Sequence, residues 1–536
     1  MHGGAVTSTP ADLTADQRLD AARHGMTLSV WASIKPDVPA IVSEHGDRSF
    51  ADLNGRANQL VRALRRHGVQ AGDGVALLCG NRAEFAVVVA ATQRSGLRLT
   101  PINWHLTGDE AGYILHDCEA RAFIAEDRFA DVARGAAARA SLVEVRFSVG
   151  GRIDGFAAYD DAVGVETADD IADPTIGGTM LYTSGTTGRP KGVHRQLGAA
   201  VAAGSTQTSP VVGLARAAAE GSSMHLCTGP LYHAAPLAFS LLMPVAQGMG
   251  VVIMDQWDAE ATLQLVERHR ITHSHMVPTM FHRLLSLPQH VRRAYDASSL
   301  RFVIHGAAPC PVAVKRAMID WWGPILVEYY AATEGGATYV TSDEWLAHPG
   351  TVGRPPTPDH VRILDDDGRD VAPGVIGTIY IKAPEEARFS YFKHPDKTAA
   401  AYRGGHYTLG DVGYVDEGGY LYLTDRSADL IISGGVNIYP AETEAVLIGH
   451  AAVGDVAVIG VPNLEWGEEV KAIVELQPGA VGSADLESEL ISWCRERLAG
   501  FKCPRTVEFT EALPRQDNGK LYKRVLRDRF RQQVGS

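Results

Sequence analysis

The chain has 536 residues, of which 45% are hydrophobic and 21% are charged. A chain of this length exceeds what one hydrophobic core supports, which predicts two to four domains. Its 50 basic and 63 acidic residues give a formal net charge of -13. Nucleic-acid-binding proteins are typically basic, so we expect an enzyme without a nucleic-acid partner.

The six cysteines are scattered along the chain, and no two of them form a C-x-x-C pair. This spacing argues against a disulfide framework and against a cysteine zinc site. The N-terminal segment MHGGAVTSTPADLTADQ has no basic stretch followed by an apolar run, so we expect no signal peptide. Reduced thiols and the lack of an export signal predict a cytoplasmic location.

Helical and strand patterns alternate throughout the chain, which favours α/β layers. From Asp52 to Gly68 the apolar residues recur at helical spacing against several arginines, which predicts an amphipathic helix ended by the glycine. The segment 74–96 then predicts a buried strand, a turn and a helix. RAFIAE, at 121–126, predicts a further strand.

One uncharged stretch, from Ala234 to Met254, is long enough to span a bilayer. Two prolines, a glutamine and two glycines divide it, and its end resembles a buried strand. We therefore expect a helix followed by a strand in a protein core, with no transmembrane segment.

The last hundred or so residues predict a small, separate α/β domain. A charged turn and a short apolar strand lead to a Gly-Gly loop within the segment 425–437, and a helix should start with Pro440 at its first position. VAVIGVP and VKAIVEL predict two strands. A further amphipathic helix, over the segment 484–500, is expected to end at Gly500.

The sequence YTSGTTGRPKG, from Tyr182 to Gly192, combines glycines, hydroxyls and a lysine directly after an apolar strand pattern. Glycines let successive backbone N–H groups turn towards an anion, and hydroxyls add donors. A nucleotide-kinase P-loop would place the lysine before a serine or threonine. Here Lys191 follows Pro190 and precedes a glycine, so that loop type is excluded.

This segment resembles the signature loop of the adenylate-forming superfamily, which includes acyl-CoA synthetases, adenylation domains of peptide synthetases and firefly-type luciferases. The likeness extends over nearly the whole chain. It implies an α/β protein with a large N-terminal adenylating domain, residues 1–426, built of stacked sheets with helices and a small β subdomain. A small mobile α+β domain, residues 427–536, should follow a hinge near 427–429.

The resemblance also implies a nucleotide site. In YYAATEGG, Tyr330 and Ala331 would lie beside adenine, Thr333 would bind the α-phosphate, and Glu334 would hold Mg²⁺, as a hard cation requires. Alanine at 331 replaces the usual glycine. The resemblance implies three further sets of nucleotide contacts. The loop that binds the β- and γ-phosphates would consist of Thr183, Ser184, Gly185, Thr186, Thr187, Gly188 and Lys191. The adenine wall would be formed by Gly306, Ala307 and Ala308, and the ribose hydroxyls would be bound by Asp411 and Arg426.

Three further assignments follow from the same resemblance. LPRQDNGKLYKR makes Lys520 the catalytic lysine, because a cation must bridge the carboxylate and the α-phosphate. His233 takes the place of the aromatic residue beside the substrate carboxylate. Ser433, Gly434 and Gly435 would border the CoA tunnel. The neighbouring charges Lys523 and Arg524 are expected to be surface residues.

The implied activity is that of an acyl-CoA synthetase using ATP, Mg²⁺ and CoA, with a medium or long-chain fatty acid as the preferred substrate. Aryl acids and sterol side-chain acids remain open. Transfer to a carrier protein, luciferase-like oxygenation and a non-catalytic nucleotide-binding role are the alternatives, and the last conflicts with the presence of Lys520, Glu334 and Asp411. Peripheral membrane contact and a homodimer are also left open.

Overall fold

The computed structural model describes residues 15–183, 189–195, 210–218, 223–383, 385, 388–426, 429–433, 436–463, 466–515 and 519–534. The two loop glycines 434–435, the loop tip 184–188 and residues 427–428 of the predicted hinge lie outside these ranges.

A parallel sheet and its helices occupy the first part of the chain. Ser49 caps the first long helix by accepting a hydrogen bond from the backbone N–H of Asp52, so this helix begins before the predicted position and ends at Arg66. The strands, in spatial order, are Ala157–Ala158, Val145–Val149, Ala120–Glu126, Gly74–Leu78, Arg98–Pro101 and Gly178–Thr179. The helices of this part are Phe50–Arg66, Ala83–Arg94, Gly108–Asp117, Asp127–Phe129, Ala130–Ala137 and Tyr159–Gly164.

The second sheet has eight strands, parallel in the centre and antiparallel at both edges. In spatial order they are Gly335–Thr341, Leu326–Ala332, Phe302–His305, His273–Met276, Met224–Cys227, Gly250–Ile253, Pro39–Ser43 and Arg48–Ser49. Its helices are Ala15–Arg23, Thr27–Ile34, Pro210–Ala217, Ala234–Pro236, Leu237–Leu242, Met243–Ala246, Ala259–Arg268, Pro278–Ser286, Gln289–Ala294, Val312–Trp322 and Ser342–Ala347.

The two sheets share one apolar core. Val75 and Leu77 of the first sheet and Ile41 and Val251 of the second belong to a single buried cluster. The helices Phe50–Arg66 and Ala83–Arg94 supply further buried residues to this cluster. The predicted stacked α/β architecture is therefore confirmed.

An antiparallel β subdomain follows. Its strands are Val361–Leu364, Gly377–Lys382, Tyr402–Arg403, His406–Tyr407, Asp411–Val415 and Leu421–Arg426, with the helix Pro395–Ala401 beside them. A separate three-stranded sheet joins Ser390–Tyr391, Lys191–His194 and Leu181–Thr183, and so links the signature segment to the subdomain.

The C-terminal part forms its own α/β unit, as predicted. Its strands are Ile431–Ser433, Val436–Ile438, Val453–Asn463, Gly467–Leu476 and Thr506–Thr510, and its helices are Pro440–Leu447, Ala484–Arg495, Gly500–Lys502 and Lys523–Val534. The predicted helix stop at Gly500 is wrong. The α-helix ends at Arg495, and Gly500 opens a short 3-10 turn instead.

The stretch 234–254 forms short consecutive helical segments followed by the strand Gly250–Ile253, as expected for a core. Within the described ranges, no helix is both long and apolar enough to cross a membrane. The surface position predicted for Lys523 is wrong, because this lysine is buried and pairs with Glu444 at 2.8 Å. Arg524 is exposed, as predicted.

Candidate active site

The predicted site residues gather at one edge of the second sheet. The strands Met224–Cys227, His273–Met276, Phe302–His305 and Leu326–Ala332 are parallel, so their carboxyl ends meet there. In open α/β sheets ligands bind outside the carboxyl ends of the strands. His233, Gly306 and Glu334 all lie in segments that follow these ends.

The signature segment is an antiparallel hairpin. Thr183 pairs directly with Lys191, and the loop 184–188 between them lies outside the described residues. The Lys191 ammonium lies 4.7 Å from the centre of the Tyr391 ring. Burial lowers the pKa of Lys191, the charge of Lys397 lowers it further, and Glu334 opposes both. The foot of the hairpin therefore faces Glu334.

Glu334 is a buried carboxylate, only 8% exposed, rather than a solvated turn residue. Its Oε1 accepts a hydrogen bond of 3.0 Å from the Tyr391 hydroxyl. The Arg195 guanidinium donates to the backbone carbonyl of Thr333 at 2.8 Å, and burial lowers the pKa of Arg195. These contacts fix the turn between the last two strands of the sheet.

Within the described part of the chain, no three His, Cys, Asp or Glu side chains are grouped so as to hold a metal ion. In phosphate sites, Mg²⁺ usually takes one or two protein carboxylates and completes its shell with phosphate oxygens and water. Glu334 offers a carboxylate of this kind.

Tyr330, predicted beside adenine, and Asp411, predicted at the ribose, meet across two structural units. The Tyr330 hydroxyl donates to Asp411 Oδ2 at 2.6 Å, and both side chains are buried. Asp411 lies directly opposite Arg426 in the antiparallel hairpin 411–426. The main sheet and the β subdomain thus jointly position this carboxylate.

The segment Gly306–Ala308 follows a sheet strand as a tight turn. A Cβ added at Gly306 would lie 2.6 Å from the Tyr329 carbonyl oxygen, so glycine is required there. Ala307 has a φ of 69°, a left-handed conformation that is unfavourable for alanine. Such strain is often found where a ligand approaches the backbone.

Lys520 comes from the C-terminal unit, and its charge acts on His233 of the large domain. Burial chiefly lowers the pKa of His233 to about 3, and the charges of Lys520 and His105 contribute. Gly519 has a φ of 78°, and a Cβ there would meet Thr279 Oγ1 at 2.7 Å. The loop carrying the lysine is therefore pressed against the large domain.

A cavity of about 640 Å³ lies between the two units beside this loop. Its lining includes His105, Arg128 and Trp257 from the large domain and Arg515 and Gly519 from the small one. Ser433 has its described strand partners, Val436 and Gly467, within the small unit, and Gly434 and Gly435 are not described.

Sequence reasoning missed Tyr391, Arg195 and Arg515. Arg515 donates to the Gly519 carbonyl at 2.7 Å, and its other nitrogens donate to the Asp455 carboxylate. Arg515 lies within the quoted lysine motif, and Arg195 lies three residues past the end of the quoted signature segment. No sequence pattern pointed to Tyr391, because its hydrogen bond with Glu334 joins residues that are 57 positions apart.

The comparisons with known proteins identify the family. The family model of the AMP-binding enzyme matches residues 28–391, and that of the AMP-binding enzyme C-terminal domain matches residues 442–520. The chain therefore belongs to the AMP-binding enzyme family, within the adenylate-forming superfamily. It is an enzyme of the AMP-forming acid–thiol ligase class.

Two curated relatives illustrate the range of that class. A feruloyl-CoA synthase from Amycolatopsis sp is 35% identical over 507 residues, covering 93% of this chain and 97% of that protein. The long-chain-fatty-acid–CoA ligase FadD13 of Mycobacterium tuberculosis is 32% identical, covering 94% and 98%. Among solved structures, the anthranilate CoA ligase AuaEII in complex with anthranoyl-AMP has a TM-score of 0.86 and 25% identity, covering 99% of this chain and 100% of that one.

Proposed function

We propose that this enzyme activates a hydrophobic carboxylic acid with ATP, forms an acyl-AMP and pyrophosphate, and then transfers the acyl group to CoA. The observation that supports this most strongly is the packing of the Lys520 loop against the large domain, where a Cβ on Gly519 would lie 2.7 Å from Thr279 Oγ1. Lys520 comes from the small domain and reaches the same edge of the sheet as the predicted nucleotide residues. That arrangement suits the first half-reaction.

In the first half-reaction, an acid carboxylate must approach the α-phosphate of ATP although both are anionic. Lys520 would lie between them and offset this repulsion. His233 is neutral because burial disfavours its charged form, so it would pack against the acid without binding its carboxylate as an ion. Mg²⁺ held by Glu334 would neutralise charge on the departing pyrophosphate.

The nucleotide would lie between the hairpin 183–191 and the Tyr330–Asp411 pair. Asp411, held by the Tyr330 hydroxyl, would accept hydrogen bonds from the ribose hydroxyls. Lys191, which faces Glu334, would contact the β- and γ-phosphates. Thr333, whose carbonyl is fixed by Arg195, would donate to the α-phosphate.

In the second half-reaction, we propose that the small domain rotates about a hinge near residues 427–429, which withdraws Lys520. Ser433, Gly434 and Gly435 would then border the path of the CoA thiol. Asp429 forms an ion pair of 2.7 Å with Arg527, so the end of the hinge is tied to the C-terminal helix. Because of this ion pair, Asp429 would move together with the small domain.

The acid is the least constrained part of the proposal. The small size of Ala234, Ala235, Gly306 and Ala307 supports an apolar group beside His233. A medium or long-chain fatty acid and an aryl acid are both compatible with this room, and the names of the two curated relatives include one of each kind. A sterol side-chain acid is a third possibility.

The test is AMP release from a panel of carboxylic acids, measured with and without CoA. We expect AMP release with at least one apolar acid and a clear acceleration by CoA. If an acyl-carrier protein accelerates AMP release and CoA does not, the carrier protein is the acyl acceptor instead of CoA. Oxygen consumption or light would indicate luciferase-like chemistry, and no turnover of ATP with any acid would contradict the proposed activity.

A further inference from the structure

A small aromatic cluster lies close to the turn Gly306–Ala308, on the sheet face that carries the helices following His233. His233 precedes the helical segment 234–242, and Phe239 lies six residues further along it. The Phe239 ring centre lies 4.8 Å from that of Tyr329 and 5.7 Å from that of His275. Phe239 is partly exposed, whereas the other two side chains are buried.

Strand alternation places the cluster on this face. In the strand Leu326–Ala332, Glu328 contacts Lys315 of the helix Val312–Trp322, on one face of the sheet. Tyr329 points to the opposite face, because successive strand residues alternate. There its ring lies directly against Gly306, and a Cβ on that glycine would be 2.7 Å from the ring.

Ala235 and Ala331 are small and partly exposed, and both pack with Phe239 against the buried cluster that contains Tyr329. A helix rises by about 9 Å over six residues, which is the expected separation of His233 and Phe239 along the helix axis. An extended long-chain acid running along this line would have to displace the Tyr329 ring. A compact ring-bearing acid would not.

The Tyr329–His275 pair has one hydrogen too many for its described partners. His275 Nε2 and the Tyr329 hydroxyl are 3.0 Å apart, and His275 Nδ1 is buried without a hydrogen-bond partner among the described residues. Burial lowers the pKa of His275 to about 3, so the ring is neutral and carries a single N–H.

Two tautomers are therefore possible. If Nε2 donates to the tyrosine oxygen, the phenolic hydrogen is left to donate elsewhere. If the phenol donates to Nε2, the hydrogen on Nδ1 is left over. Either way the pair keeps one donor that no described residue accepts, and burying such a donor is unfavourable.

We propose that Tyr329 and His275 form the polar end of the acyl pocket, and that the substrate is a compact aromatic carboxylic acid whose ring carries an oxygen substituent. A hydroxyl or methoxyl oxygen would accept the unused hydrogen, while Phe239 would pack against the ring. This inference rests on the proposed acid activation and narrows its substrate.

The test compares 4-hydroxycinnamate, cinnamate and decanoate as substrates for AMP release. The wild-type protein should favour 4-hydroxycinnamate over cinnamate in kcat/KM by about 10-fold or more, because a pocket built to pair a hydroxyl discriminates against its absence. Tyr329→Phe keeps the ring and removes the hydroxyl, and it should abolish that preference. The ratio of two substrates in one preparation does not depend on the fraction of folded enzyme.

Tyr295→Phe is the matched control, because the Tyr295 hydroxyl bonds to Glu260 away from the site. It should leave the ratio unchanged. Tyr329→Ala should instead raise activity with decanoate by about 10-fold, since it removes the ring that closes the pocket.

A wild-type preference for decanoate, or a hydroxyl preference that survives Tyr329→Phe, would overturn this inference and leave the proposed acid activation standing. If the wild-type protein releases AMP with none of these acids but does so with other apolar acids, the inference alone fails. No AMP release with any acid would overturn both.

Discussion

Arg515 holds the Asp455 carboxylate with two nitrogen atoms while its third nitrogen binds the loop that carries Lys520. Its Nη2 donates to Asp455 Oδ1 at 2.7 Å, Nε donates to the other oxygen, and Nη1 donates to the Gly519 carbonyl at 2.7 Å. Both side chains are largely buried. The adjacent lysine therefore projects from a loop that is fixed to the small domain's main strand.

We expect Arg515→Lys to slow acyl-AMP formation by about 10-fold, because lysine keeps the charge but cannot make the planar three-way contact. Thioester formation from supplied acyl-AMP should be unchanged. Arg529→Lys is the control, since Arg529 is an exposed residue that pairs with Glu508 in the same domain. A rate of acyl-AMP formation equal to wild type would show that Arg515 does not position the lysine.

Tyr391→Phe should raise the Mg²⁺ concentration needed for half-maximal adenylation by about 10-fold. The Tyr391 hydroxyl orients Glu334, and loss of such an outer-shell partner typically weakens metal binding to this degree. Titration of activity with Mg²⁺ at saturating ATP measures the effect. Tyr402→Phe, which removes a hydroxyl bonded to the Phe389 backbone, should leave the titration unchanged. If Tyr391→Phe and Tyr402→Phe give the same Mg²⁺ titration, Glu334 would no longer be assigned to the metal site.

Much of the fold follows from local sequence patterns. The helices 50–66 and 440–447 were predictable, because their apolar spacing and end residues act within a few positions. The burial of Lys523 was not, since it depends on Glu444, far away in the sequence. The same applies to Tyr391 and Glu334, which are 57 residues apart. Motifs predicted a candidate site, but only tertiary packing revealed which side chains contact its residues.

The buried histidines should make stability dependent on pH. His225 is fully buried, and burial, followed by its neighbours His273 and His275, lowers its pKa well below the ordinary value of 6.5. The unfolded chain binds a proton below about pH 6.5, whereas the folded protein does not. The free energy of unfolding should therefore fall as the pH drops below that value, by up to about 1.4 kcal/mol per pH unit for each such histidine.

Denaturant unfolding of wild type and His225→Gln between pH 7 and pH 5 tests this expectation. Glutamine places a nitrogen near the position of Nε2, which contacts Ser240, but cannot be protonated in this range. The pH dependence of the variant should be shallower. The exposed residue His290 provides the control, and His290→Gln should keep the wild-type slope. If the free energy of unfolding of His225→Gln falls with pH as steeply as that of the wild type, burial of His225 does not cause the pH dependence.

The most direct test of the proposed mechanism is Lys520→Ala, with both half-reactions measured separately. Acyl-AMP formation should fall by about 10² to 10³-fold, the cost typical of losing one preorganised group that stabilises developing charge. Thioester formation from supplied acyl-AMP and CoA should persist at close to the wild-type rate, because the lysine has then been withdrawn. Lys502→Ala, which removes a lysine paired with Glu442, should affect neither step. Equal loss of both half-reactions in Lys520→Ala would contradict the two-state assignment of this lysine.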